Sequence, residues 1–301
     1  MSLDAVLIAG PTASGKSALA MELAENLGGI IINADSMQVY CELAVLTARP
    51  SAADEMCIPH RLYGHVKASE RYSVGRYQEE AARALAEARS GNRVAIFTGG
   101  TGLYFDALLK GLSPIPAVPV EIREGVRRRF ETMGREPFFE EFARRDPETA
   151  SKLRVSDTQR IQRAAAVLEA TGRPLAEWQD ISGRPVLAGL RVARLVLAPS
   201  REVLFERIDR RLELMARQGA LEEARLLLDL DPTLPAAKAV GLPQLQGYLT
   251  GLASLESAIG EAQLATRHYV KRQMTWFRNR MREWAWAEQA DLRNIITLIN
   301  V

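Results

Sequence analysis

The stretch Gly10-Pro11-Thr12-Ala13-Ser14-Gly15-Lys16-Ser17 matches the phosphate-loop pattern G-x-x-x-x-G-K-[ST] at every fixed position. An apolar run at 5–9 predicts a buried strand before it, and residues 16–26 predict a helix after it, with Leu19, Leu23 and Leu27 on one face. In this arrangement, backbone N–H groups and a helix N-terminus surround an anion. Lys16 would reach the outer phosphate oxygens, and Ser17 would offer its hydroxyl to Mg²⁺. The pattern predicts a phosphate site without identifying the phosphate compound.

Strands and helices alternate over the first hundred residues, which predicts an α/β fold. Apolar runs predict strands at 29–32 and 93–97, and a helix with an alanine-rich face is predicted at 73–90. Such alternation implies a parallel sheet flanked by helices, as in P-loop nucleotide-binding proteins. Three residues each follow a predicted strand: Gly10, Asp35 and Thr101. We therefore expect them to lie together at the carboxyl edge of the sheet.

Residues 112–190 differ in character from what precedes them, and we expect a helical insertion domain there. A proline-containing linker at 113–119 opens the segment. Charged helical stretches follow at 121–142 and 157–171, without a convincing strand.

The chain is expected to return to the core domain after the insertion. An apolar run predicts a strand at 190–198, and a helix is predicted at 201–218, where Ser200 suits the N-cap. From there to its end the chain is expected to be helical. The core domain would thus comprise 1–111 and 191–301.

The composition is that of an ordinary globular protein, with 301 residues, 47% of them hydrophobic and 25% charged. The longest apolar runs fall short of the roughly 20 residues that a membrane span needs, so no membrane association is expected. The N-terminus has no basic start or cleavable signal. Cys41 and Cys57 form no pattern for a disulfide scaffold or a zinc site. We expect a monomer in a reducing cytoplasm.

Basic and aromatic residues are interleaved near the C-terminus, although the net charge of the chain is only +2. The basic residues are Arg267, Lys271, Arg272, Arg278, Arg280 and Arg282, and the aromatic ones are Trp276, Phe277, Trp284 and Trp286. Two interpretations are equally open. The segment either binds a nucleic-acid backbone and stacks on bases, or it is an amphipathic helix whose aromatic side chains face the core.

Asp35 is the first candidate for chemistry because it follows a buried strand beside the phosphate loop. Its carboxylate could anchor Mg²⁺ or act as a general base. An aspartate also suits a turn or a helix cap, and this alternative stays open.

The glycines of Thr98-Gly99-Gly100-Thr101-Gly102 could let the backbone approach a ligand closely, or could simply form a tight turn. The strand before them ends without an acid, which argues against a standard ATPase. Arg207 and Arg211 lie one helical turn apart and could clamp phosphate oxygens. On spacing alone, surface pairing with Glu206 and Glu213 is favoured.

Taken together, these motifs resemble the bacterial tRNA dimethylallyltransferases, which prenylate N6 of adenosine 37 beside the anticodon. The phosphate loop is shared by many families, but Asp35-Ser36-Met37-Gln38-Val39-Tyr40 followed by Gly99-Gly100-Thr101-Gly102-Leu103-Tyr104 is close to unique to this one. Further matches are Thr47-Ala48-Arg49-Pro50, Gly111-Leu112-Ser113, Asp157-Thr158-Gln159-Arg160 with Arg163, and Lys271-Arg272-Gln273-Met274-Thr275-Trp276-Phe277-Arg278. Arg49 stands where the family usually has lysine.

The resemblance implies a prenyl transfer with dimethylallyl diphosphate as the donor. The loop 10–17 would bind the diphosphate of the donor, with Mg²⁺ at Ser17. Asp35 would contact N6 of the flipped adenine as general base. Thr101 and Arg211 would lie at the reacting centre.

The resemblance also implies a surface for the anticodon stem-loop. In the core domain this surface would include Asp35, Ser36, Met37, Gln38 and Thr101, together with Lys238, Lys271, Arg272 and Arg278. In the insertion it would include Arg123, Gln159, Arg160, Ile161, Gln162 and Arg163. The insertion corresponds to a small helical domain that closes over the RNA in the family.

Two alternatives use the same loop. One is a small-molecule kinase, in which the insertion would be a mobile lid over a nucleotide. The other is an RNA-binding switch protein that depends on a nucleoside triphosphate and transfers no alkyl group. Both require binding of a nucleoside triphosphate, whereas the prenyltransferase does not.

Overall fold

A computed structural model describes residues 3–298 of the chain. The chain divides into two compact units, one formed by the segments up to Leu109 and from Val186, the other by Lys110–Pro185. The first unit contains a six-stranded sheet in the order β3-β2-β4-β1-β5-β6, with every strand parallel to its neighbours. The strands are β1 Ala5–Ala9, β2 Ile30–Asn33, β3 His60–Arg61, β4 Ala95–Gly99, β5 Val192–Leu197 and β6 Ala285–Ala287.

Both faces of this sheet are covered, which is why its central strand β1 is apolar throughout. All five residues of β1 are buried. Ala5, Leu7 and Ala9 pack into one core, whereas Val6 and Ile8 pack into another on the opposite face. Side chains alternate between the faces of a strand, so a continuous apolar run indicates helices on both sides.

The helices of this first unit are α1 Lys16–Leu27, α2 Ala52–Cys57, α3 Val74–Ser90, α4 Gly102–Lys110, α10 Arg201–Arg217, α11 Ala220–Leu226, α12 Leu242–Leu249, α13 Leu255–Arg280 and α14 Leu292–Leu298. A short 3-10 turn lies at Ala236–Lys238. α4 ends one residue into the second unit. No helix within residues 3–298 combines the length and the apolar character needed to cross a membrane.

The α/β fold with a parallel sheet and flanking helices is confirmed. The expectation that the chain is helical from residue 201 to its end was wrong, because β6 adds a sixth strand at the edge of the sheet. β3 was also missed. These edge strands have only three and two residues, too few for a periodic pattern to show.

The second unit, Lys110–Pro185, is helical and has its own core. Its helices after the end of α4 are α5 Val120–Met133, α6 Arg135–Arg145, α7 Pro147–Ser151, α8 Thr158–Thr171 and α9 Leu175–Gln179. Phe138, Phe142 and Ile161 are among the residues buried at its centre. The predicted helical stretch at 121–142 is broken at Gly134, whose φ of 81° is incompatible with a continuous right-handed helix.

Candidate active site

The phosphate loop 10–17 lies between the carboxyl end of β1 and α1. Ala13 and Gly15 adopt left-handed backbone conformations, with φ of 65° and 93°, and so turn the loop sharply into the helix. The segment from Thr12 to Ala18 lines a cavity of about 940 Å³, the loop cavity. Ser14 is buried here, and its hydroxyl has no hydrogen-bond partner among the described residues. Since an unpaired buried hydroxyl is unfavourable, the loop is suited to a ligand that accepts a hydrogen bond from it.

Two arginines of α10 reach this loop. Arg211 Nη2 donates to the Thr12 hydroxyl. Arg207 Nη1 donates to the carbonyl oxygens of Ala13 and Ser14, at 3.4 and 3.2 Å. Arg211 is half-buried, and its Nε has no partner among the described residues. Both arginines also line the loop cavity.

The charges around Lys16 indicate an anion site. Burial lowers the pKa of Lys16 to about 8, an effect that the nearby carboxylate of Asp35 opposes and Arg211 reinforces. Burial also lowers the pKa of Arg211, and Asp35 again opposes the shift. Two cations held close together and partly removed from water are unfavourable by themselves. A multiply charged anion between them would offset this repulsion and stabilise both charged forms.

Asp35 lies in a turn that its own carboxylate helps to form. Oδ1 accepts the N–H of Met37 at 3.0 Å, and the Asp35 N–H donates to Asn33 Oδ1 at 2.7 Å. The turn interpretation therefore applies to one carboxylate oxygen. The other, Oδ2, lies beside Gly100, and Asp35 lines the loop cavity. The carboxylate can thus hold its turn and still accept a proton from a ligand.

Thr101 lies against the segment that carries Asp35. Its N–H donates to the Ala34 carbonyl at 3.2 Å, and its Oγ1 accepts the N–H of Ser36 at 2.9 Å. The ends of β2 and β4 are therefore fixed to one another. As predicted from the strand ends, the residues following β1, β2 and β4 meet at one edge of the sheet.

The glycines around Thr101 make room for helix α13. A Cβ at Gly100 would lie 2.2 Å from Gln273 Nε2, and one at Gly102 would lie 2.0 Å from Trp276 Nε1. Both distances are far below van der Waals contact, so a side chain at either position would require the Gln273 or the Trp276 side chain to move. On the side where a Cβ would point, the space at Gly100 and Gly102 is therefore occupied by side chains of α13.

Gln273 is a site residue that sequence reasoning missed. Its side chain is buried, and it joins two loops: Oε1 accepts the Thr12 N–H at 3.0 Å, and Nε2 donates to the Gly100 carbonyl at 3.0 Å. These partners are 261 and 173 positions away along the chain. The only available signal was its place within the motif 271–278.

The aromatic residues near the C-terminus face the core. Phe277 and Trp284 are buried, and Trp276 and Trp286 pack against the same core cluster. The amphipathic interpretation is therefore correct for the aromatic side chains, and stacking on bases is not supported for them. Four basic residues of α13 are exposed, namely Lys271, Arg272, Arg278 and Arg280, and the Arg280 guanidinium lies over the Trp276 ring, 5.6 Å from its centroid.

The segment 44–50 is fastened beside the loop cavity from two directions. Gln38 Nε2 donates to the carbonyl oxygens of Thr47 and Ala48, at 2.9 and 3.1 Å. From α11, the Glu223 carboxylate accepts the N–H groups of residues 44, 45 and 46 at 2.9, 2.6 and 2.9 Å. Glu223, which sequence reasoning also missed, thereby fixes the wall that Thr47 and Ala48 form.

A second cavity, the apolar cavity, adjoins the first. It has a volume of about 190 Å³ and shares Thr12, Asp35, Thr47 and Arg211 with the loop cavity. Its other walls are mainly apolar and comprise Met37, Leu46, Leu212, Met215, Ala239 and Val240, with Ser36, Thr266, Tyr269, Lys238 and Arg272 completing the lining. The two cavities therefore meet at a carboxylate and a guanidinium.

Two of the predicted RNA contacts flank this apolar cavity, since Lys238 and Arg272 are exposed at its lining. Gln38, by contrast, is buried, and its amide nitrogen is already bound to residues 47 and 48. We therefore interpret Gln38 as a residue that fixes the cavity wall. Met37 is half-buried and lines the apolar cavity.

Within the helical unit, the predicted RNA contacts fall into two groups. Gln159, Arg160 and Arg163 of α8 are exposed, as is Arg123 of α5, and Gln162 is half-exposed. Partial burial and the charge of Arg123 lower the pKa of Arg163, so the two guanidinium groups lie near one another. Ile161 is fully buried in the core of the unit. Its side chain is therefore not a surface for RNA, which corrects the prediction for that residue.

The oxygen donors near the phosphate loop are few, which fits a hard divalent cation held mostly by the phosphate oxygens of a bound substrate. Ser17 is exposed at the loop, and the carboxylates among the residues that line the loop cavity are those of Asp35 and Glu288. Residues 3–298 contain no group of three or more His, Cys, Asp or Glu side chains arranged to hold a metal. Mg²⁺ commonly binds through one or two protein oxygens and the phosphates of a substrate, which suits this donor set.

Comparisons with known proteins agree on one family. The sequence profile of the IPP transferases matches residues 38–280. The chain is 51% identical to the tRNA dimethylallyltransferase of a Bradyrhizobium species over 99% of this chain and 97% of that protein. It is 54% identical to the tRNA dimethylallyltransferase of Azorhizobium caulinodans, over 93% and 90% of the two chains.

Solved structures show the same similarity in three dimensions. The full-length tRNA isopentenylpyrophosphate transferase of Bacillus halodurans is 29% identical, with a TM-score of 0.69 over 98% of this chain and 94% of that one. A eukaryotic dimethylallyltransferase acting on tRNA is 26% identical, with a TM-score of 0.81 over 98% of this chain and 76% of that one.

Proposed function

This chain belongs to the IPP transferase family, and we propose that it transfers the dimethylallyl group of dimethylallyl diphosphate to N6 of adenosine 37 in tRNA. It is an enzyme, a tRNA dimethylallyltransferase, and its second product is diphosphate. The observation that carries the proposal is the junction of the two cavities at Thr12, Asp35, Thr47 and Arg211. A donor bound on one side and an acceptor base bound on the other would meet at that junction.

The phosphate loop 10–17 binds the diphosphate of the donor. Its N–H groups and the N-terminus of α1 offer positive potential, the unpaired Ser14 hydroxyl can donate a hydrogen bond, and Lys16 and Arg211 offer positive charge. The same groups act on the leaving group. Charge builds on the diphosphate as the carbon–oxygen bond breaks, so fixed cations stabilise the transition state more than the ground state.

The transfer is a substitution at carbon 1 of the prenyl group. The lone pair of adenine N6 forms the new carbon–nitrogen bond, and the electron pair of the broken carbon–oxygen bond leaves with diphosphate. The nitrogen then carries an extra proton, which Asp35 accepts. A base near N6 matters because a neutral aromatic amine is a weak nucleophile.

The acceptor adenine reaches the site by leaving its stack in the anticodon loop. Unstacking costs a few kcal/mol, which the pocket must repay. The apolar cavity offers a suitable surface through Met37, Leu46 and Met215. Lys238 and Arg272 at its lining would bind neighbouring phosphates, and Thr101 would orient the residues around Asp35 through its bond to Ser36.

The remaining tRNA contacts are assigned to exposed basic residues. Lys271, Arg272 and Arg278 lie on the solvent face of α13. In the helical unit, the proximity of Arg123 and Arg163 supports a shared phosphate, with Gln159, Arg160 and Gln162 on the same helix as Arg163. Such contacts position the stem-loop and make binding dependent on salt.

Mg²⁺ is the proposed cofactor, and Ser17 would hold it together with the donor diphosphate. When bound, the ion supplies positive charge that neutralises the leaving diphosphate. We further propose that the enzyme works as a monomer in the cytoplasm. Size-exclusion chromatography coupled to light scattering would test the monomer, and cell fractionation would test the location.

The kinase and switch alternatives are not favoured, because family membership and the similarity to solved tRNA prenyltransferases agree. One experiment separates the three. The protein is mixed with Mg²⁺, an anticodon stem-loop and either ATP or labelled dimethylallyl diphosphate. We expect thermal stabilisation by the prenyl donor and transfer of its label to RNA without ATP. A requirement for ATP, or phosphoryl transfer from it, would contradict the proposal.

Lys16→Ala tests the phosphate loop. A charge-assisted contact is worth about 1.5–3 kcal/mol in binding and more as leaving-group charge develops, so we expect transfer to be abolished. Lys67→Ala, which removes an exposed lysine, is the matched control and should retain full activity. Wild-type turnover in Lys16→Ala would overturn the assignment of the loop.

A further inference from the structure

Gln273 lies between the two halves of the reaction site and touches both. On one side its Oε1 accepts the N–H of Thr12 at 3.0 Å, and on the other its Nε2 donates to the Gly100 carbonyl at 3.0 Å. The side chain is only 6% exposed. A buried amide that satisfies one acceptor and one donor with opposite ends has a single preferred orientation, so it fixes the distance between its partners.

Each of these partners leads directly to a group of the proposed reaction. The Thr12 hydroxyl receives a hydrogen bond from Arg211, so Thr12 belongs to the diphosphate side. Gly100 precedes Thr101, whose hydroxyl holds the Ser36 N–H at 2.9 Å, so Gly100 belongs to the acceptor side. In a phosphate loop the N–H groups commonly point toward the anion. The Thr12 N–H instead points to Gln273, which fastens the loop from outside.

The Gln273 amide is packed tightly against Gly100. A Cβ at Gly100 would lie 2.2 Å from Gln273 Nε2 and 3.1 Å from Asp35 Oδ2. The Gln273 amide and the Asp35 carboxylate therefore both lie beside Gly100. A helix 26 residues long, α13, carries this side chain, and a long packed helix is a rigid support for a site.

From this geometry we infer that Gln273 is a positioning residue that sets the separation between the diphosphate-binding loop and the Asp35 carboxylate. The inference rests on the proposed function. In a substitution reaction the donor carbon and the acceptor nitrogen must approach in line, and a displacement of about 1 Å can cost roughly 100-fold in rate. Loss of Gln273 should therefore affect the reaction step more than the binding of either substrate.

The test measures single-turnover rate, donor KM, diphosphate affinity and melting temperature for wild type, Gln273→Met, Gln273→Glu and Gln263→Met. Met removes both hydrogen bonds at similar volume. Glu keeps the acceptor for Thr12 but places a carboxylate oxygen against the Gly100 carbonyl. Gln263 is a half-buried glutamine of the same helix whose side chain donates to the Asp209 carbonyl, at 3.4 Å, and has no other hydrogen-bond partner within residues 3–298, so Gln263→Met is the matched control.

We expect the rate per folded molecule to fall roughly 10- to 100-fold in both Gln273 variants, with diphosphate affinity within about threefold of wild type and Gln263→Met unaffected. An unchanged rate in whichever Gln273 variant folds would overturn the inference, as would a loss confined to diphosphate affinity. If wild type itself transfers no label to RNA, the proposed function fails. In that case, changes in melting temperature or diphosphate affinity in the Gln273 variants would show that Gln273 is a structural residue only, and the inference would be overturned as well.

Discussion

The phosphate loop and helix α13 both contribute to the site, but they do so in opposite ways. The loop is eight consecutive residues whose backbone shapes the cavity, and its cation and its hydroxyls lie on the same short segment. α13 contributes single side chains from one face: Gln273 and Trp276 reach loops far away in sequence, while Lys271 and Arg278 on the other face meet solvent. Under the proposed function, the loop would determine what is bound, whereas the helix would determine where the bound groups lie.

The largest effect is expected at Asp35, which lies beside both the loop cavity and Gly100, where Gln273 of α13 packs. If Asp35 is the base, Asp35→Asn should keep the fold, because asparagine also suits turns, and should still bind the donor. Its single-turnover rate with saturating RNA should fall by roughly 10²–10⁴, the range for a lost general base. Asp229→Asn, at an exposed aspartate, is the control.

Magnesium distinguishes the competing roles of Asp35. If the carboxylate anchored the cation instead, the same variant would show weakened diphosphate binding that excess Mg²⁺ partly restores. Single-turnover rates at two Mg²⁺ concentrations, with a melting curve, separate these outcomes. If Asp35→Asn melts at a lower temperature than wild type but turns over at a near-normal rate, Asp35 is a turn residue and not the base.

Glu223 provides a second test. Like Gln273, it forms hydrogen bonds to a loop that is far away in the sequence. Its carboxylate accepts three N–H groups of residues 44–46. Hydrogen bonds to a charged group are worth about 1.5–3 kcal/mol, so Glu223→Ala should lower the free energy of unfolding by about that amount. Glu222→Ala, at the exposed neighbour, should change it little. Equal stability of the two variants, measured by urea unfolding, would show that the segment 44–50 does not depend on Glu223.

The loop, unlike α13, contains a lysine whose protonation should change when diphosphate binds. Because burial lowers the pKa of Lys16 to about 8, the amine is mostly neutral at pH 9 in the free enzyme. A bound diphosphate favours the charged form and raises the pKa. Binding should therefore take up a proton above pH 8, and affinity should fall by up to about tenfold per pH unit there.

Calorimetry of diphosphate binding at pH 9, in two buffers of different ionisation enthalpy, counts these protons. Below about pH 7 the lysine is already charged, and its contribution to proton uptake should vanish. Lys16→Arg is the informative variant, since arginine stays protonated throughout. Undiminished uptake in Lys16→Arg would assign the proton to another group.

How much of this the sequence could predict depends on distance along the chain. The strand–loop–helix arrangement around residues 10–17 could be predicted because its parts are contiguous, and β1, α1 and α3 follow from local apolar periodicity. Gln273 and Glu223 could not be found in this way, since their partners lie 261 and about 178 positions away. Gly100 and Gly102 show the same limit, because their neighbours are known only once α13 is packed against them.

The smallest expected effect concerns the solvent face of α13, where the composition left two interpretations equally open. The aromatic side chains turned inward, so any RNA affinity of this face depends on its charges. If Arg278 contacts one phosphate, Arg278→Ala should reduce the salt dependence of stem-loop binding by about 0.7–0.9 in the slope of log K against log salt. The loss of affinity should then shrink as salt increases. Arg83→Ala removes the same charge from the exposed face of α3 and so controls for net charge alone. Equal slopes for Arg278→Ala, Arg83→Ala and wild type would make Arg278 a solvated side chain, and the helix would then serve the site only through its inward face.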